Sequence, residues 1–240
     1  MDLQLMSSYE LKEKKPIRAF LAVGTVEAHG PAPLGTDNII PQMFVRELVK
    51  EFGGVVLPPF NYGINKSLQA HAGSLGITQE TFQGVIYDIA GGLKQHGFGE
   101  FIIVNGHGGN SGALKSVAYR IHSDYGLKVA VLEWWGMVNS DEHFPEGMVG
   151  HAGLDEISLV LHAYPELLDK LSRVGRAKAS SFKPGLVVYP NTISILMYHG
   201  EKEIDYSLLS KERAERFFEA VLQSMKDLLG EVLEGWELVD

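Results

Sequence analysis

Short apolar runs alternate along this chain with longer segments in which apolar residues recur every three or four positions. The runs lie at residues 17–24, 55–57, 101–104 and 129–132. Apolar runs of this length are typical of parallel strands that helices bury on both faces. The alternation of strand and helix therefore predicts an α/β fold whose mainly parallel sheet is wound with right-handed crossovers.

Helical periodicity fills the segments between and after these strands. Apolar positions three and four apart mark one helix face. They predict helices from Ile40 to the glycine pair at 53–54, from the capping residue Thr78 to near Gly97, over 114–121, within 151–161, where a short helix includes its entry loop, and over 211–233. Residues 183–195 are predicted to be extended. The stretch 164–206 as a whole shows no sharp pattern, and it is expected either to carry oligomer contacts or to cover the sheet.

Composition narrows the possible functions. The 240 residues favour one domain spanning 1–240, and the formal net charge of -9, without a Lys/Arg cluster, weighs against nucleic acid or an anionic membrane as a partner. The absence of cysteine excludes disulfides, thiolate nucleophiles and Cys-ligated zinc. With no signal peptide and no apolar run near the ~18 residues of a membrane span, a cytoplasmic location is the expectation.

The stretch that follows the first strand concentrates potential metal ligands. Glu27 and His29 are two residues apart, so on an extended segment their side chains leave the same face. A Gly/Pro-rich turn can then bring Asp37 beside them. Two carboxylates and an imidazole suit a divalent first-row metal. The alternative is that Glu27 and His29 are surface polar residues and Asp37 caps the next helix.

A second candidate stretch follows the third strand, where glycines frame His107. In Asn105-Gly-His107-Gly-Gly-Asn110 the glycines remove side-chain bulk around one imidazole and allow a tight turn before the next helix. The competing interpretation is a phosphate cradle at a helix N-terminus. It is weaker because Ser111 stands where the G-x-G-x-x-G spacing requires its third glycine.

The third candidate stretch is Gly150-His151-Ala-Gly-Leu-Asp-Glu156. If the helix begins near residue 153 or 154, His151 lies just before it and Glu156 in its first turn, so both can face one cavity. The simpler alternative is that the acidic residues only complement the positive end of the helix. All three stretches follow strands, and ligands bind beyond the carboxyl ends of parallel strands, so they are expected to meet there.

Taken together, the three stretches resemble the creatininase family, the metal-dependent creatinine amidohydrolases and their relatives. The resemblance rests on Gly24-Thr-Val-Glu27-Ala-His29-Gly-Pro with Leu34-Gly-Thr-Asp37, on Asn105-Gly-His107-Gly-Gly-Asn110 and on His151-Ala-Gly-Leu-Asp-Glu156. It implies a three-layer α/β/α fold and a divalent metal centre, expected to hold two ions of Zn, Mn or Fe. It also implies a cyclic homo-oligomer, in this family often a hexamer.

The resemblance also implies roles for individual residues. Glu27, Asp37 and His107 would hold one metal and His29 with Asp37 the other, with Asp37 bridging, while His151 and Glu156 match the family's catalytic pair. The chain departs from the family pattern in three places. The Glu-to-Asp stretch is one residue shorter and lacks a histidine usual after the Gly-Pro, Gly109 replaces a carboxylate ligand, and His71-Ala-Gly-Ser stands where relatives often have a His before Phe-Pro-Gly-Thr. The second metal therefore lacks one ligand unless Glu156 supplies it.

The expected activity is hydrolysis of a C–N amide bond in a small substrate by a metal-activated water. Glu156 is expected to orient or deprotonate that water, and His151 to stabilise the oxyanion or protonate the departing nitrogen. Three residues are expected to contact the substrate from the strand ends: Gly108, Trp134 and Trp135. His71 is also expected to contact it, from a loop of about 18 residues placed over the site. Cyclic amides, a formamide on a biosynthetic pyrimidine and peptide-like amides stay open as substrates. The alternative function is a non-catalytic nucleotide or sugar-phosphate binding module.

Overall fold

Four parallel strands form the central sheet of the computed structural model, which describes residues 1–180 and 201–238. They are β1 (Arg18–Val23), β2 (Val55–Val56), β3 (Glu100–Asn105) and β4 (Lys128–Glu133), in the order β2-β1-β3-β4. All three neighbouring pairs are parallel, with Ala19 opposite both Val55 and Phe101. The predicted parallel sheet is confirmed.

Seven α-helices lie in the described part of the chain. They are α1 (Ser8–Lys14), α2 (Thr36–Phe52), α3 (Gln79–Gln95), α4 (Ser111–Tyr125), α5 (Leu154–Ala163), α6 (Leu168–Ser172) and α7 (Lys211–Glu237). Thr78 caps α3, as predicted. Helix α2 begins at Thr36, four residues before the predicted Ile40, because its first turn is polar and falls outside the apolar periodicity. Helix α1 was not predicted. It begins with a capping box formed by Ser7 and Glu10.

Alternating side chains of the strands build two apolar cores, one on each face of the sheet. In β1, Phe20 and Ala22 join the core under α2, α5 and α7, whereas Ala19, Leu21 and Val23 join the core under α3 and α4. This alternation follows from the two-residue period of a strand. Helices thus cover both faces, and the three-layer α/β/α architecture is confirmed.

The stretch 164–206, which carried no sharp prediction, contributes α6 and an antiparallel strand pair. Strand β5 (Arg176–Ser180) pairs with β6 (Glu201–Asp205), with Arg176 opposite Asp205. The predicted extended pieces at 183–195 lie outside the described residues. A 3-10 turn, residues 206–208, follows β6 and brings Tyr206 into the core on the α5 side.

The strand order fixes where a ligand site can form. From β1 the chain moves to β2 on one side, and it then crosses back to place β3 on the other side of β1. Ligands of open α/β sheets bind at such a switch point, beyond the carboxyl ends of the strands. The segments after β1 and β3 therefore meet at this edge. Among the helices of the described residues, none combines the length and the apolar character needed to cross a membrane.

Candidate metal centre

The first segment of the site runs from Gly24 to Asp37. Thr25, Glu27 and His29 are buried, while Val26 and Ala28 between them are partly exposed. This two-residue period directs Glu27 and His29 to the same side, as predicted. Because α2 begins at Thr36, Asp37 lies in its first turn, at the ends of β1 and β3. That approach requires glycine at 106, where a Cβ atom would lie 2.0 Å from the carbonyl oxygen of Asp37.

Asp37 stands between two imidazoles. Its Oδ1 lies 2.9 Å from His29 Nε2, and its Oδ2 lies 2.8 Å from His107 Nδ1. Glu27 Oε1 is 3.4 Å from the same His107 nitrogen, and Glu156 Oε2 is 3.5 Å from the same His29 nitrogen. Three triads of the described residues could hold a metal ion. Glu27/Asp37/His107 and His29/Asp37/Glu156 are fully buried and share Asp37, whereas Glu27/His29/His151 lacks Asp37 and includes the partly buried His151.

Backbone carbonyls orient the rings. His29 Nδ1 lies 3.0 Å from the Glu27 carbonyl oxygen, and His107 Nε2 lies 2.9 Å from that of Ile64. A carbonyl oxygen only accepts hydrogen bonds, so each of these ring nitrogens carries a hydrogen. The opposite nitrogen of each ring faces the carboxylates, which is the arrangement found in metal-ligating histidines.

Several polar atoms at this centre are buried without a hydrogen-bond partner among the described residues. They are Glu27 Oε2, His29 Nε2 and Asp37 Oδ2. The last two lie close to their neighbours in the triads but without hydrogen-bond alignment. The residues that carry these atoms are 2%, 0% and 1% exposed, respectively. Burying such atoms without partners is unfavourable, and a divalent cation would satisfy them. The donor set of carboxylates and imidazoles therefore fits a metal centre.

Burial and neighbouring charges shift the pKa values of these groups. Burial raises the pKa of Glu27 to about 7. Burial alone would lower the pKa of His107, but Glu27 and Asp37 outweigh it and raise that pKa to about 9. In the same way, Asp37 and Glu156 overcome burial and raise the pKa of His29 well above its usual value. The pKa of Asp37 is lowered despite burial, because His29 and His107 stabilise its charge.

Metal loading is consequently expected to release protons. With a pKa of about 9 for His107 and a raised pKa for His29, both rings hold a proton near pH 7 in the metal-free protein. A bound metal must displace them, and it must also displace the proton that Glu27, with a pKa of about 7, holds in about half of the molecules at that pH. Between two and three protons should therefore leave per chain, and metal affinity should weaken as the pH falls. Calorimetric titration with Zn²⁺ in two buffers of different ionisation enthalpy measures this number. Equal heats in both buffers would contradict the expectation.

The third segment places His151 and Glu156 against the same cluster. Helix α5 begins at Leu154, so His151 lies three residues before it and Glu156 in its first turn. His151 Nδ1 is 3.7 Å from Glu27 Oε1, and its Nε2 lies 3.0 Å from the Ala28 carbonyl oxygen. Glu156 Oε2 accepts a 2.7 Å hydrogen bond from the backbone N–H of Ala152. Burial, helped by His29, lowers the pKa of His151 to about 4.

A cavity of about 630 Å³ opens onto this cluster. Gly108, Trp134 and Trp135 line it, and the two indole rings meet edge to face with their centroids 5.9 Å apart. The long loop predicted over the site reaches the cavity lining only through Ser67. His71 of this loop is exposed and is not among the lining residues, and its role in substrate binding stays a prediction.

Several residues of the site were not predicted. Asp155 also lines the cavity, is 3% exposed and accepts a 2.8 Å hydrogen bond from the Gly150 N–H. Burial, helped by the charge of Glu156, raises its pKa to about 7. In the sequence, the only signal for Asp155 is its position beside Glu156. A role in complementing the positive end of the helix would explain that position equally well. The role of the Ile64 carbonyl oxygen could not be predicted from the sequence, because any residue at position 64 supplies a backbone carbonyl.

The position of Gly109, where the family pattern has a carboxylate, is closed to any side chain. A Cβ atom there would lie 2.2 Å from the Ile64 carbonyl oxygen and 2.4 Å from His107 Nε2. Gly109→Ala is therefore expected to separate these two partners and to weaken metal affinity about 10- to 100-fold, the usual effect of losing an outer partner of a ligand. Competition with a chelating dye measures it. Gly108→Ala is the control, because nothing lies within 4 Å of a Cβ atom at 108. Equal affinities for the two variants would contradict the prediction.

Comparison with known proteins adds independent information. The family model for creatinine amidohydrolase matches residues 4–229. Creatinine amidohydrolase of Pseudomonas putida is 28% identical over 233 residues, which cover 88% of this chain and 88% of that protein. Mycofactocin precursor peptide peptidase of Mycobacterium ulcerans is 29% identical over 178 residues, covering 69% and 67% respectively.

Solved structures agree with these matches. A mutant creatininase described as Zn-Zn type superimposes with a TM-score of 0.74 at 25% identity, covering 96% of this chain and 97% of that chain. A creatininase structure with Mn superimposes with a TM-score of 0.77 at 24% identity over the same shares, which supports the fold.

Proposed function

Because this chain belongs to the creatininase family and is thereby a hydrolase of C–N bonds, we propose that it cleaves the amide bond of a small substrate at a centre of two divalent metals. The observation that carries this proposal is the pair of buried triads that share Asp37. The Asp37 carboxylate has an imidazole on each side, and each imidazole is paired with a further carboxylate. This arrangement is a ligand set for two ions rather than one.

The proposed ligands divide between the two triads. Glu27, Asp37 and His107 hold the first metal, and His29, Asp37 and Glu156 hold the second. Glu156 takes the part that the family pattern gives to the carboxylate at position 109, which has no room for a side chain here. The 3.5 Å contact between Glu156 Oε2 and His29 Nε2 supports this assignment. The related creatininase structures include a Zn-Zn type and a Mn form, and we expect Zn, Mn or Fe in this chain.

Two divalent metals, when bound, would polarise the substrate carbonyl and lower the pKa of water. The protein supplies the proton transfers. The Ala28 carbonyl oxygen fixes the hydrogen of His151 on Nε2, so Nδ1 presents its lone pair to the cluster. Because Glu156 is assigned here to the second metal, the deprotonation of water expected of it passes to His151, whose Nδ1 takes the proton from the attacking water and returns it to the departing nitrogen. The rings of Trp134 and Trp135 give a planar amide two apolar walls.

The cavity also limits the substrate. Among the described residues that line it, none is Lys or Arg, while Glu27, Asp37, Asp155 and Glu156 contribute carboxyl groups. We therefore propose a small neutral or weakly cationic amide, because an anionic group that does not bind the metals themselves would find no basic side chain among the described lining residues. Cyclic amides, formamides and peptide-like amides all remain candidates. Two relatives are named for creatinine and for a precursor peptide.

The test combines metal removal with turnover. Dialysis against a chelator should abolish hydrolysis of amides from these three groups and lower the unfolding midpoint. Metal at 100 times its Kd stabilises by about 2.7 kcal/mol, which corresponds to about 5–10 °C for a chain of this size. Zn²⁺ or Mn²⁺ should restore both properties. An unchanged midpoint and no turnover after reconstitution would overturn the metal centre.

The family match favours this hydrolase over the nucleotide or sugar-phosphate binding module. The glycine-rich turn at 106–109 surrounds a buried imidazole beside carboxylates, and such a surrounding repels phosphate. The binding module would instead show thermal stabilisation by inorganic phosphate and no effect of removing Glu27 or Asp37.

A further inference from the structure

The loop that carries His151 has a backbone conformation that needs external support. Ala152 has a φ of +53°, in the left-handed region that non-glycine residues rarely adopt, and Gly150 has a φ of +91°. Such residues persist only when their surroundings hold them in place. Within the loop, the N–H groups of Gly150 and Ala152 bond to Asp155 and Glu156, so the loop conformation and these carboxylates are coupled.

Two residues from the segment around β6 support this loop from outside. The Lys202 ammonium donates a hydrogen bond to the Val149 carbonyl oxygen. The Tyr206 hydroxyl, on a side chain that is fully buried, donates a 2.9 Å hydrogen bond to the Ala152 carbonyl oxygen. These two contacts lie on either side of His151 along the chain. The same hydroxyl lies 3.6 Å from the position of a Cβ atom at Gly30, directly after His29.

We propose that Lys202 and Tyr206 are positioning residues, which hold residues 149–152 so that the His151 ring and the Glu156 carboxylate face the metal pair. The inference rests on the proposed function, because it assigns Glu156 to the second metal. Its physical basis is a chain of two hydrogen bonds that connects Tyr206 to the site through Ala152. The Tyr206 hydroxyl fixes the carbonyl of Ala152, and the N–H of Ala152 fixes Glu156 Oε2 at 2.7 Å.

Tyr206→Phe and Lys202→Met test this role by removing the two donors with little change in side-chain size. The matched controls are Tyr9→Phe and Lys170→Met, since both residues are exposed and lie outside the site. We expect the affinity of the second site, that of His29, Asp37 and Glu156, for Co²⁺ to fall about tenfold in each test variant, while the first site is unchanged. The visible absorption of Co²⁺ reports the ligand geometry of each site during the titration. Lys202→Arg retains a charged donor and is expected to restore part of the affinity.

A double variant separates positioning from general destabilisation. In a Glu156→Gln background, where only the first site remains, adding Tyr206→Phe should have no further effect on Co²⁺ affinity. If both sites weaken together in Tyr206→Phe, or if the double variant loses further affinity, the positioning role is overturned. If wild type binds two ions and the variants bind them equally well, the inference alone fails. If wild type binds no metal, the proposed function fails and the inference fails with it.

Discussion

Asp37→Asn is expected to remove both metals and to reduce amide hydrolysis by roughly 10³-fold or more, because metal catalysis contributes several kcal/mol. Asp37 is the one residue common to both triads, and each of its oxygens lies within 3 Å of a different imidazole: 2.9 Å to His29 and 2.8 Å to His107. The asparagine amide keeps the shape but loses the charge and one acceptor oxygen. The two imidazoles would then lack the carboxylate that joins their sites.

Elemental analysis by inductively coupled plasma mass spectrometry measures the effect of Asp37→Asn. Wild type should carry about two ions per chain after reconstitution, and the variant should carry none. Asp88→Asn, an exposed residue of α3, is the matched control and should retain both ions. Circular dichroism shows whether each variant is folded. Two ions retained in folded Asp37→Asn would show that the carboxylate does not bridge.

Glu156→Gln is expected to remove one ion of the two and to slow hydrolysis roughly 10²- to 10⁴-fold, the range typical when a positioned proton-transfer group or its support is lost. Glu156 belongs only to the triad with His29, so the first site should keep Glu27, Asp37 and His107. The glutamine oxygen can still accept the hydrogen bond from the Ala152 N–H, which keeps the loop in place. The variant thus tests the carboxylate charge and not the loop.

Metal content and turnover together decide what Glu156 does. One ion per chain would assign Glu156 as the ligand that replaces the carboxylate absent at Gly109. Two ions with the same loss of rate would instead assign it to orienting or deprotonating the water. Glu146→Gln, an exposed residue before the same loop, is the control and should change neither quantity. Full activity in Glu156→Gln would exclude both roles.

A homo-oligomer stays a prediction, and light scattering after gel filtration would measure its size. The organisation of residues 1–240 as one domain and the cytoplasmic location also stay predictions.

The sequence alone determined the fold class and the three stretches of the site. Strands such as residues 101–104 were predictable because burial on both faces demands an unbroken apolar run. That Glu27, His29 and His107 lie close together was predictable because each follows a strand, and parallel strands end at the same edge of the sheet; their role as ligands stays a prediction. Local spacing and chain order were sufficient for these inferences. The beginning of α2 was misplaced because its polar first turn serves the site and interrupts the periodicity.

Only the tertiary structure decided which atoms meet across these stretches. The approach of Glu156 to His29, the Ile64 carbonyl beside His107 and the Tyr206 hydroxyl beside Ala152 join residues far apart in the chain. Such contacts leave no periodic pattern, and a backbone carbonyl has no residue identity to recognise. The role of the segment around β6 could therefore not be predicted from the sequence, because it depends on the loop against which the segment packs and not on the composition of the segment.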